Sequence, residues 1–460
     1  MKKLLSLFFA ALFTLGLCVG CNDKNASVSD NSSSKSEVEF EAVDYAASVT
    51  LDMNSETKKE EATVKLFIDG DTTHFNVSND ISVNGNGVLK ARYLAINTPE
   101  STGKIEEWGK AASKFTRSKL ENATSIMLET DGDKWELDST GERHLVWVWY
   151  KTADSDTYRN LNIEILQNGY AIASNSEGNR YGEVCGKAIA QAQTLKLHVY
   201  SKETDPDFYY GSAIPMDLKH LRLNIEQYNG TKVAFDGVVS YLNDGGAYIE
   251  DYDEETGVWY GMYIYYGFSL NPFALEFLKP GNKLRIVGTV SYWEAGGSYQ
   301  VSGLEFNMRN PDDMNSTNLI DEEKYALANV ETSLDTFFSK VNVNVIDETT
   351  EEITSKEYDY AALALHSSIS MKGLRVKKVY TTDNGGDNDG ALSITCEYGG
   401  KEIVVRTIVM KDANGNIVTA DVFTNKTIDV EGIIDYYQPE NSDKGSYQVK
   451  VFNYDSITIH

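Results

Sequence analysis

The chain has 460 residues and a formal net charge of −27 at pH 7, with 69 acidic residues against 42 lysines and arginines. A chain of this length accommodates roughly two to four domains. Its hydrophobic content of 41% is typical of a globular protein, and its acidic excess argues against general affinity for nucleic acid, which requires phosphate neutralisation. The 28 tyrosines, 35 glycines and only 7 prolines favour β structure.

The acidic excess is distributed unevenly along the chain. Residues 61–202 contain 16 basic and 19 acidic side chains, a net charge of −3, whereas residues 203–460 contain 20 and 41, a net charge of −21. We therefore expect a polyanionic ligand to meet the first folded domain. The acidic C-terminal half would repel it unless cations intervene.

The N-terminus carries the pattern of an export signal. Lys2 and Lys3 precede an apolar stretch from Leu4 to Val19, which is short for a membrane span. The stretch ends Leu17-Cys18-Val19-Gly20-Cys21 and resembles a bacterial lipoprotein signal, although Cys18 stands where that pattern usually has leucine. The resemblance implies a signal peptide over 1–21, lipidation of Cys21, and an exported membrane lipoprotein facing the extracellular side. An ordinary secretory signal is the alternative. Residues 22–42 are rich in serine and asparagine, which predicts a flexible tether.

The next segment, 43–202, predicts a small barrel with helices packed outside it. Apolar runs and turn signals predict five strands, and residues recurring every three or four positions predict three helices. The predicted strands are Val64–Ile68, Thr72–Val77, Val88–Ile96, Ser125–Glu129 and His144–Tyr150, and the predicted helices are Lys104–Asn122, Asn162–Asn168 and Gly182–Leu197. This order favours a five-stranded barrel of the OB type.

The remainder reads as two further β modules, over 205–309 and 320–460, and both are predicted to be OB-like barrels. The segment from Gly288 to Val301 is echoed by the segment from Glu431 to Val449, since both contain a strand, a loop and then Gly-Ser-Tyr-Gln-Val. Chance similarity between tyrosine-rich hairpins is the alternative. Residues 270–278 predict a short helix, and residues 320–340 are expected to be partly helical. The fold class is thus mainly β with some α.

The two cysteines beyond the N-terminal segment are Cys185 and Cys396. They lie far apart in sequence and in different predicted modules, so we expect two buried thiols rather than a disulfide.

Candidate catalytic residues fall at two turns of the first barrel. Asp69-Gly70-Asp71-Thr72 follows one apolar strand, and Thr98-Pro99-Glu100 follows another strand that contains Arg92. Arg143 opens a later strand. Each motif alone is weak, because aspartate and glycine are ordinary turn residues. Together they provide hard oxygen ligands beside arginines, a combination that suits a divalent cation and a phosphodiester.

In these motifs the sequence resembles the staphylococcal nuclease (thermonuclease) family, over about 150 of the 460 residues. The resemblance implies an OB-fold endonuclease, usually calcium-dependent, that acts on DNA and RNA. It also implies the following roles: Asp71 and the Thr98 carbonyl bind the metal, Glu100 activates or orients the attacking water, Arg92 and Arg143 clamp the phosphate, and Asp69 supports the site.

The sequence departs from the family pattern at two places, one in the proposed metal site and one in the loop that would stack a nucleobase. Asn97 stands where the family more often has a metal-binding aspartate, so its amide oxygen would ligate with one negative charge fewer. We therefore expect weaker calcium binding, or use of another hard divalent ion. Glu142 is an apparent insertion beside Arg143, in a loop that lacks the family's usual aromatic residue. The resemblance therefore supplies no base-stacking residue at that loop.

The sequence therefore predicts a membrane-anchored, calcium-dependent nuclease with DNA and RNA as substrates, and we expect a monomer. The alternative is a barrel that has lost turnover and only binds nucleic acid, which Asn97 favours. A third hypothesis makes the C-terminal modules the main functional part, as in an adhesin-type surface lipoprotein.

Overall fold

The computed structural model describes residues 41–460 apart from 79, 83–84, 244, 268–271, 308–309, 311–312, 347–352, 384–387, 440–441 and 443. Residues 43–460 form one unit by their contacts. The predicted signal peptide over 1–21, lipidation at Cys21 and nearly all of the 22–42 tether lie outside the described residues.

The first barrel is formed by five strands, and three two-residue strands lie beside them. In chain order these strands are β1 (Lys59–Asp69), β2 (Thr72–Asn76), β3 (Val88–Tyr93), β4 (Ile96–Asn97), β5 (Ser125–Glu129), β6 (His144–Lys151), β7 (Arg159–Asn160) and β8 (Ile172–Ala173). The sheet order is β3-β2-β1-β5-β6-β7, and parallel pairing of β3 with β6 closes the barrel. Irregular pairing in β1 between Phe67 and Asp69 bends its end, where the Asp69–Thr72 turn begins.

Three helices pack around this barrel: α1 (Gly109–Glu121), α2 (Leu161–Gln167) and α3 (Gly182–Leu195), followed by a 3-10 turn at His198–Tyr200. The first helix begins five residues later than the sequence predicts. Its N-cap, Trp108, has a φ of 68° in the left-handed region, which breaks the helical path from Lys104. Asn162 fixes α2 to the barrel, because its side chain accepts from Val148 N (2.9 Å) and donates to the carbonyls of Leu94 and Val146.

The second barrel consists of five strands closed by pairing between β10 and β13. Its elements and two short flanking strands are β9 (Ile214–Pro215), β10 (Lys232–Leu242), β11 (Gly246–Asp253), β12 (Val258–Tyr265), β13 (Lys283–Trp293), β14 (Ser298–Ser302) and β15 (Asn318–Leu319), with helices α4 (Leu218–Leu223) and α5 (Pro272–Phe277) and 3-10 turns at Ile225–Tyr228 and Glu294–Gly296. The short helix expected over 270–278 is thus found as α5.

The third barrel has the same closed five-stranded form, through pairing of β19 with β22. The elements of this region are β16 (Val330–Glu331), β17 (Lys340–Ile346), β18 (Ile353–Asp359), β19 (Ser368–Thr381), β20 (Leu392–Tyr398), β21 (Lys401–Thr407), β22 (Thr427–Tyr437), β23 (Ser446–Val451) and β24 (Ile457–Ile459), helices α6 (Leu334–Phe337) and α7 (Tyr360–Leu363), and 3-10 turns at Ala420–Val422 and Tyr454–Ser456. The expected helical content of 320–340 is limited to the four residues of α6, and the β17–β18 hairpin is an element that the sequence analysis missed.

The mainly β fold with three OB-like barrels is confirmed. The predicted domain limits 43–202, 205–309 and 320–460 stay predictions; each range contains the five strands of one barrel. The repeated segments occupy equivalent hairpins. Tyr292 of β13 lies opposite Tyr299 of β14, and Tyr436 of β22 lies opposite Tyr447 of β23.

The apolar core is divided between the barrels. One buried cluster fills the first barrel, with Trp147 and Trp149 fully buried, and a second, continuous cluster runs through the other two barrels. Cys185 and Cys396 are buried and free, as expected. No helix within the described ranges is long and apolar enough to cross a membrane.

Candidate active site

The turn that joins β1 to β2 is held tightly at the rim of the first barrel. Thr116 of α1 donates from Oγ1 to the carbonyl of Gly70 at 2.6 Å. A Cβ added to Gly70 would lie 2.9 Å from atoms of both Ala112 and Thr98. Only glycine therefore lets this turn lie against the helix and the β4 end at once, and this fixes the two flanking aspartates.

Asp71 is the buried centre of the site, with only 1% of its surface exposed. Its carboxylate accepts from the backbone N–H of Thr98 at 2.8 Å and from the Thr72 hydroxyl at 3.0 Å, and it is paired with the guanidinium of Arg92. Arg92 also donates to the side-chain oxygen of Asn97. Burial raises the pKa of the Asp71 carboxyl, and the charge of Arg92 opposes that rise.

Asp69 and Glu100 add two further carboxyl groups to the same rim. Asp69 is buried and accepts from Gly70 N at 2.7 Å and from the Ser101 hydroxyl at 2.8 Å. Burial, then the neighbouring Glu100 and Asp71, raise the pKa of Asp69 to about 8. Glu100 itself is exposed and lies within reach of Asp69. The rim thus combines an exposed carboxylate with a crowded, buried pair of carboxyl groups.

The Arg143 side chain is hydrogen-bonded outside this cluster. Its guanidinium pairs with Asp138, with Nε donating to Oδ2 at 2.7 Å. Arg143 immediately precedes β6, whose His144 lies opposite Ala91 of β3, so its backbone is close to the strand that carries Arg92. The structure therefore brings together Asp69, Asp71, Arg92, Asn97, Thr98 and Glu100, and it holds the Arg143 side chain in its own loop.

Several supporting residues escaped the sequence analysis. Ser101 binds Asp69, and Glu106 accepts from the backbone N–H of Glu100 at 3.1 Å. Asp205 lies beyond the predicted end of the first domain, yet it is buried and accepts from Trp108 N at 2.6 Å. A serine directly after Glu100 was a readable signal, because hydroxyls commonly anchor turns. Nothing local in the sequence indicated the contact of Asp205.

The donor chemistry of the rim fits a hard divalent cation. It offers carboxylate oxygens of Asp71, the amide oxygen of Asn97 and the backbone of Thr98. The pKa of Asp69 is raised first by burial and then by the neighbouring carboxyl groups, whose negative charge a cation would offset. In this arrangement, however, the Arg92 guanidinium already bridges Asp71 and Asn97. Within the described residues, no group of three or more His, Cys, Asp or Glu side chains is placed to hold a metal ion.

Fold and site together define an OB-type barrel with a carboxylate–arginine cluster at its rim. Residues 90–202 match the family model described as staphylococcal nuclease homologue. This part of the chain is therefore a staphylococcal nuclease homologue domain, as the motifs predicted. The match begins after the Asp69–Thr72 turn, which belongs to the same barrel through the pairing of β2 with β3.

Proposed function

We propose that the protein is a metal-dependent nuclease that hydrolyses phosphodiester bonds in DNA and RNA. The observation that carries the proposal is the convergence of Asp69, Asp71, Arg92 and Glu100 at one rim of a nuclease-homologue barrel. A nearly neutral first barrel supports it, because residues 61–202 have a net charge of only −3.

In this proposal Glu100 orients and deprotonates the attacking water, because it is the exposed carboxylate of the cluster and hence accessible to solvent. Arg92 binds the phosphate and stabilises the negative charge that grows on it, since planar guanidinium donors match phosphate oxygens. Arg143 assists in the same role when it leaves Asp138. Asp71, Asn97 and Thr98 would hold calcium or another hard divalent ion, which when bound polarises the phosphate.

We further propose that the protein is exported and anchored to the membrane by a lipid on Cys21, facing the extracellular side, and that it acts as a monomer. The export pattern over residues 1–21 supports the anchor. Incorporation of radiolabelled palmitate that is lost in Cys21→Ser, with release of the protein from the membrane fraction, would be the expected result. Equal labelling of both proteins would refute the anchor.

The nuclease proposal is tested by plasmid nicking and by cleavage of labelled RNA, with calcium and with EDTA. Wild-type cleavage is expected to need the metal, and Glu100→Gln is expected to lower it by at least about a hundredfold. Glu121→Gln is the matched control, because Glu121 is an exposed carboxylate at the far end of α1 that pairs with Arg117. Absence of cleavage under every divalent ion tested would overturn the proposal.

A second candidate is a barrel that binds nucleic acid without cleaving it, as part of an adhesin-type surface protein. The pairing of Arg92 with Asp71 and Asn97 favours it, because the proposed ligand oxygens are engaged by a guanidinium. Tight, metal-independent binding of an oligonucleotide without any turnover would support this candidate over the nuclease.

A further inference from the structure

The second barrel packs directly against the loop that follows Glu100. A Cβ added to Gly303, just after β14, would lie 3.0 Å from the carbonyl oxygen of Gly103 and 3.3 Å from the Cα of Lys104. Helix α1 also contacts the second barrel, because Arg117 pairs with Glu294, between β13 and β14, at 2.6 Å. Lys114 of α1 pairs with Asp207, in the segment that precedes the second barrel, at 2.7 Å. The rim that carries Glu100 is thus bordered by a surface of the second barrel.

One aromatic ring of that surface lies beside the cluster. Tyr265, the last residue of β12, is half-buried and lies near Gly103, three residues after Glu100. Burial raises the pKa of Tyr265, and the negative charge of the Glu100 carboxylate adds to this rise. The phenol ring thus lies beside the loop that follows the proposed catalytic carboxylate.

Three glycines lie close to the ring of Tyr265. Cβ atoms added at Gly103, Gly245 and Gly267 would lie 4.0, 3.9 and 3.6 Å from atoms of Tyr265. Gly103 and Gly267 have positive φ values of 63° and 68°, which other residues rarely adopt. These three residues place no side chain over the ring, so the exposed part of the half-buried Tyr265 is what a flat group would contact.

The charge of the second barrel limits what this surface can bind. Residues 203–460 have a net charge of −21, so they are poorly suited to neutralise phosphates. An aromatic ring contributes to nucleic-acid binding without positive charge, because every base presents a π-face to it. A contact at this ring would therefore be made with a base rather than with the backbone.

We propose that Tyr265 is a substrate-binding residue, on which the base next to the scissile phosphate stacks. The proposal rests on the proposed nuclease function and deepens it by naming the substrate class. A base can reach the face of Tyr265 only when it is unstacked from its neighbours. The favoured substrate is therefore single-stranded nucleic acid or a frayed end, and the second barrel supplies part of the substrate site.

The test measures binding of a fluorescent single-stranded DNA pentamer to the full chain carrying Glu100→Gln, with calcium present. Tyr265→Leu is expected to weaken binding by about tenfold, the usual scale of one base–aromatic stack, whereas Tyr265→Phe keeps the ring and is expected to bind normally. The protein that retains Tyr265 is expected to bind an abasic pentamer about tenfold more weakly than the normal pentamer. The Tyr265→Leu protein is expected to bind the two pentamers equally. Tyr252→Leu, at an exposed tyrosine of the same barrel, is the matched control.

Equal binding of the normal pentamer by Tyr265 and Tyr265→Leu proteins, or an equal loss for normal and abasic pentamers, would overturn the stacking proposal. Cleavage by the protein with Glu100 intact is measured separately. Base-dependent binding without cleavage would refute the proposed nuclease function and support the stacking role of Tyr265. Cleavage without base-dependent binding would support the nuclease function and refute the stacking role. Thermal unfolding of each variant shows whether a loss reflects misfolding.

Discussion

The guanidinium of Arg92 is paired with the buried carboxylate of Asp71. The proposed phosphate-binding side chain therefore contacts the proposed metal-binding side chain directly. The Asp71 side chain is 1% exposed, whereas that of Arg92 is 19% exposed. The arginine is thus the more accessible member of the pair, and it can turn toward a ligand at the rim more readily than Asp71 can.

Removal of Arg92 is expected to harm both activity and stability. In Arg92→Gln the Asp71 carboxylate loses its counter-charge while it stays buried, which should cost about 3 kcal/mol of unfolding free energy in EDTA. The double variant Asp71→Asn/Arg92→Gln should recover most of this stability and none of the cleavage. Urea unfolding and plasmid nicking measure the two effects. Lys90→Gln, which removes an exposed pair with Glu142, is the control and should change stability by less than about 1 kcal/mol.

Restoring a carboxylate at position 97 is expected to tighten metal binding. Asn97→Asp adds one negative charge to the proposed ligand set, and calcium sites are tuned by ligand charge. The calcium concentration for half-maximal cleavage should fall by about tenfold. Asn76→Asp, on an exposed position of β2, controls for the general effect of added charge. An unchanged calcium requirement in Asn97→Asp would mean that residue 97 does not contact the ion.

Asp205 is expected to stabilise the first barrel from outside its predicted limits. Its carboxylate accepts from Trp108 N at the start of α1 and from Asp207 N at 2.9 Å, and it is buried. Asp205→Ala should therefore cost about 2 kcal/mol, visible as faster amide exchange in α1 and a lower Tm. Asp207→Ala, which breaks the exposed pair with Lys114, should cost much less. Similar losses in the two variants would contradict a specific role for Asp205.

The sequence predicted those features that depend on local spacing. The Asp69–Thr72 turn, the strand with Arg92 and the Thr98–Glu100 segment meet because consecutive strands of a small barrel are neighbours. The repeated hairpins were found from sequence because both contain a strand, a loop and the same Gly-Ser-Tyr-Gln-Val segment. These relationships require only knowledge of periodicity and turn chemistry.

Features that depend on tertiary packing were missed. Asp138 competes for Arg143 within a loop whose conformation no periodicity specifies. Tyr265 comes near Gly103 because two barrels pack against each other. Asp205 contacts Trp108 across 97 residues of sequence, which no local pattern encodes. The β17–β18 hairpin escaped notice because its second strand, Ile353–Asp359, is largely exposed and polar and so lacks a clear apolar alternation.

The interface of the second and third barrels is expected to weaken at acidic pH through His366. This residue is 4% exposed, and its Nδ1 accepts from Tyr263 N at 3.2 Å. Burial, and then the charges of Arg222 and Lys450, hold its pKa well below the usual value. The unfolded chain takes up a proton near pH 6.5 and the folded chain does not, so this stability is present above about pH 6.5 and is lost as the pH falls below it.

The matched variant is His366→Asn. Asparagine tolerates the φ of 73° at this position and offers an acceptor oxygen, but it does not titrate. Wild type should lose about 2 kcal/mol relative to the variant between pH 6.5 and pH 5, measured by urea unfolding at each pH. Burial raises the pKa of Glu250 at the same interface, and its protonation acts in the opposite direction, but both proteins contain it. A constant stability difference across this range would therefore show that His366 has the same pKa in the folded and the unfolded protein, which would contradict the lowered pKa.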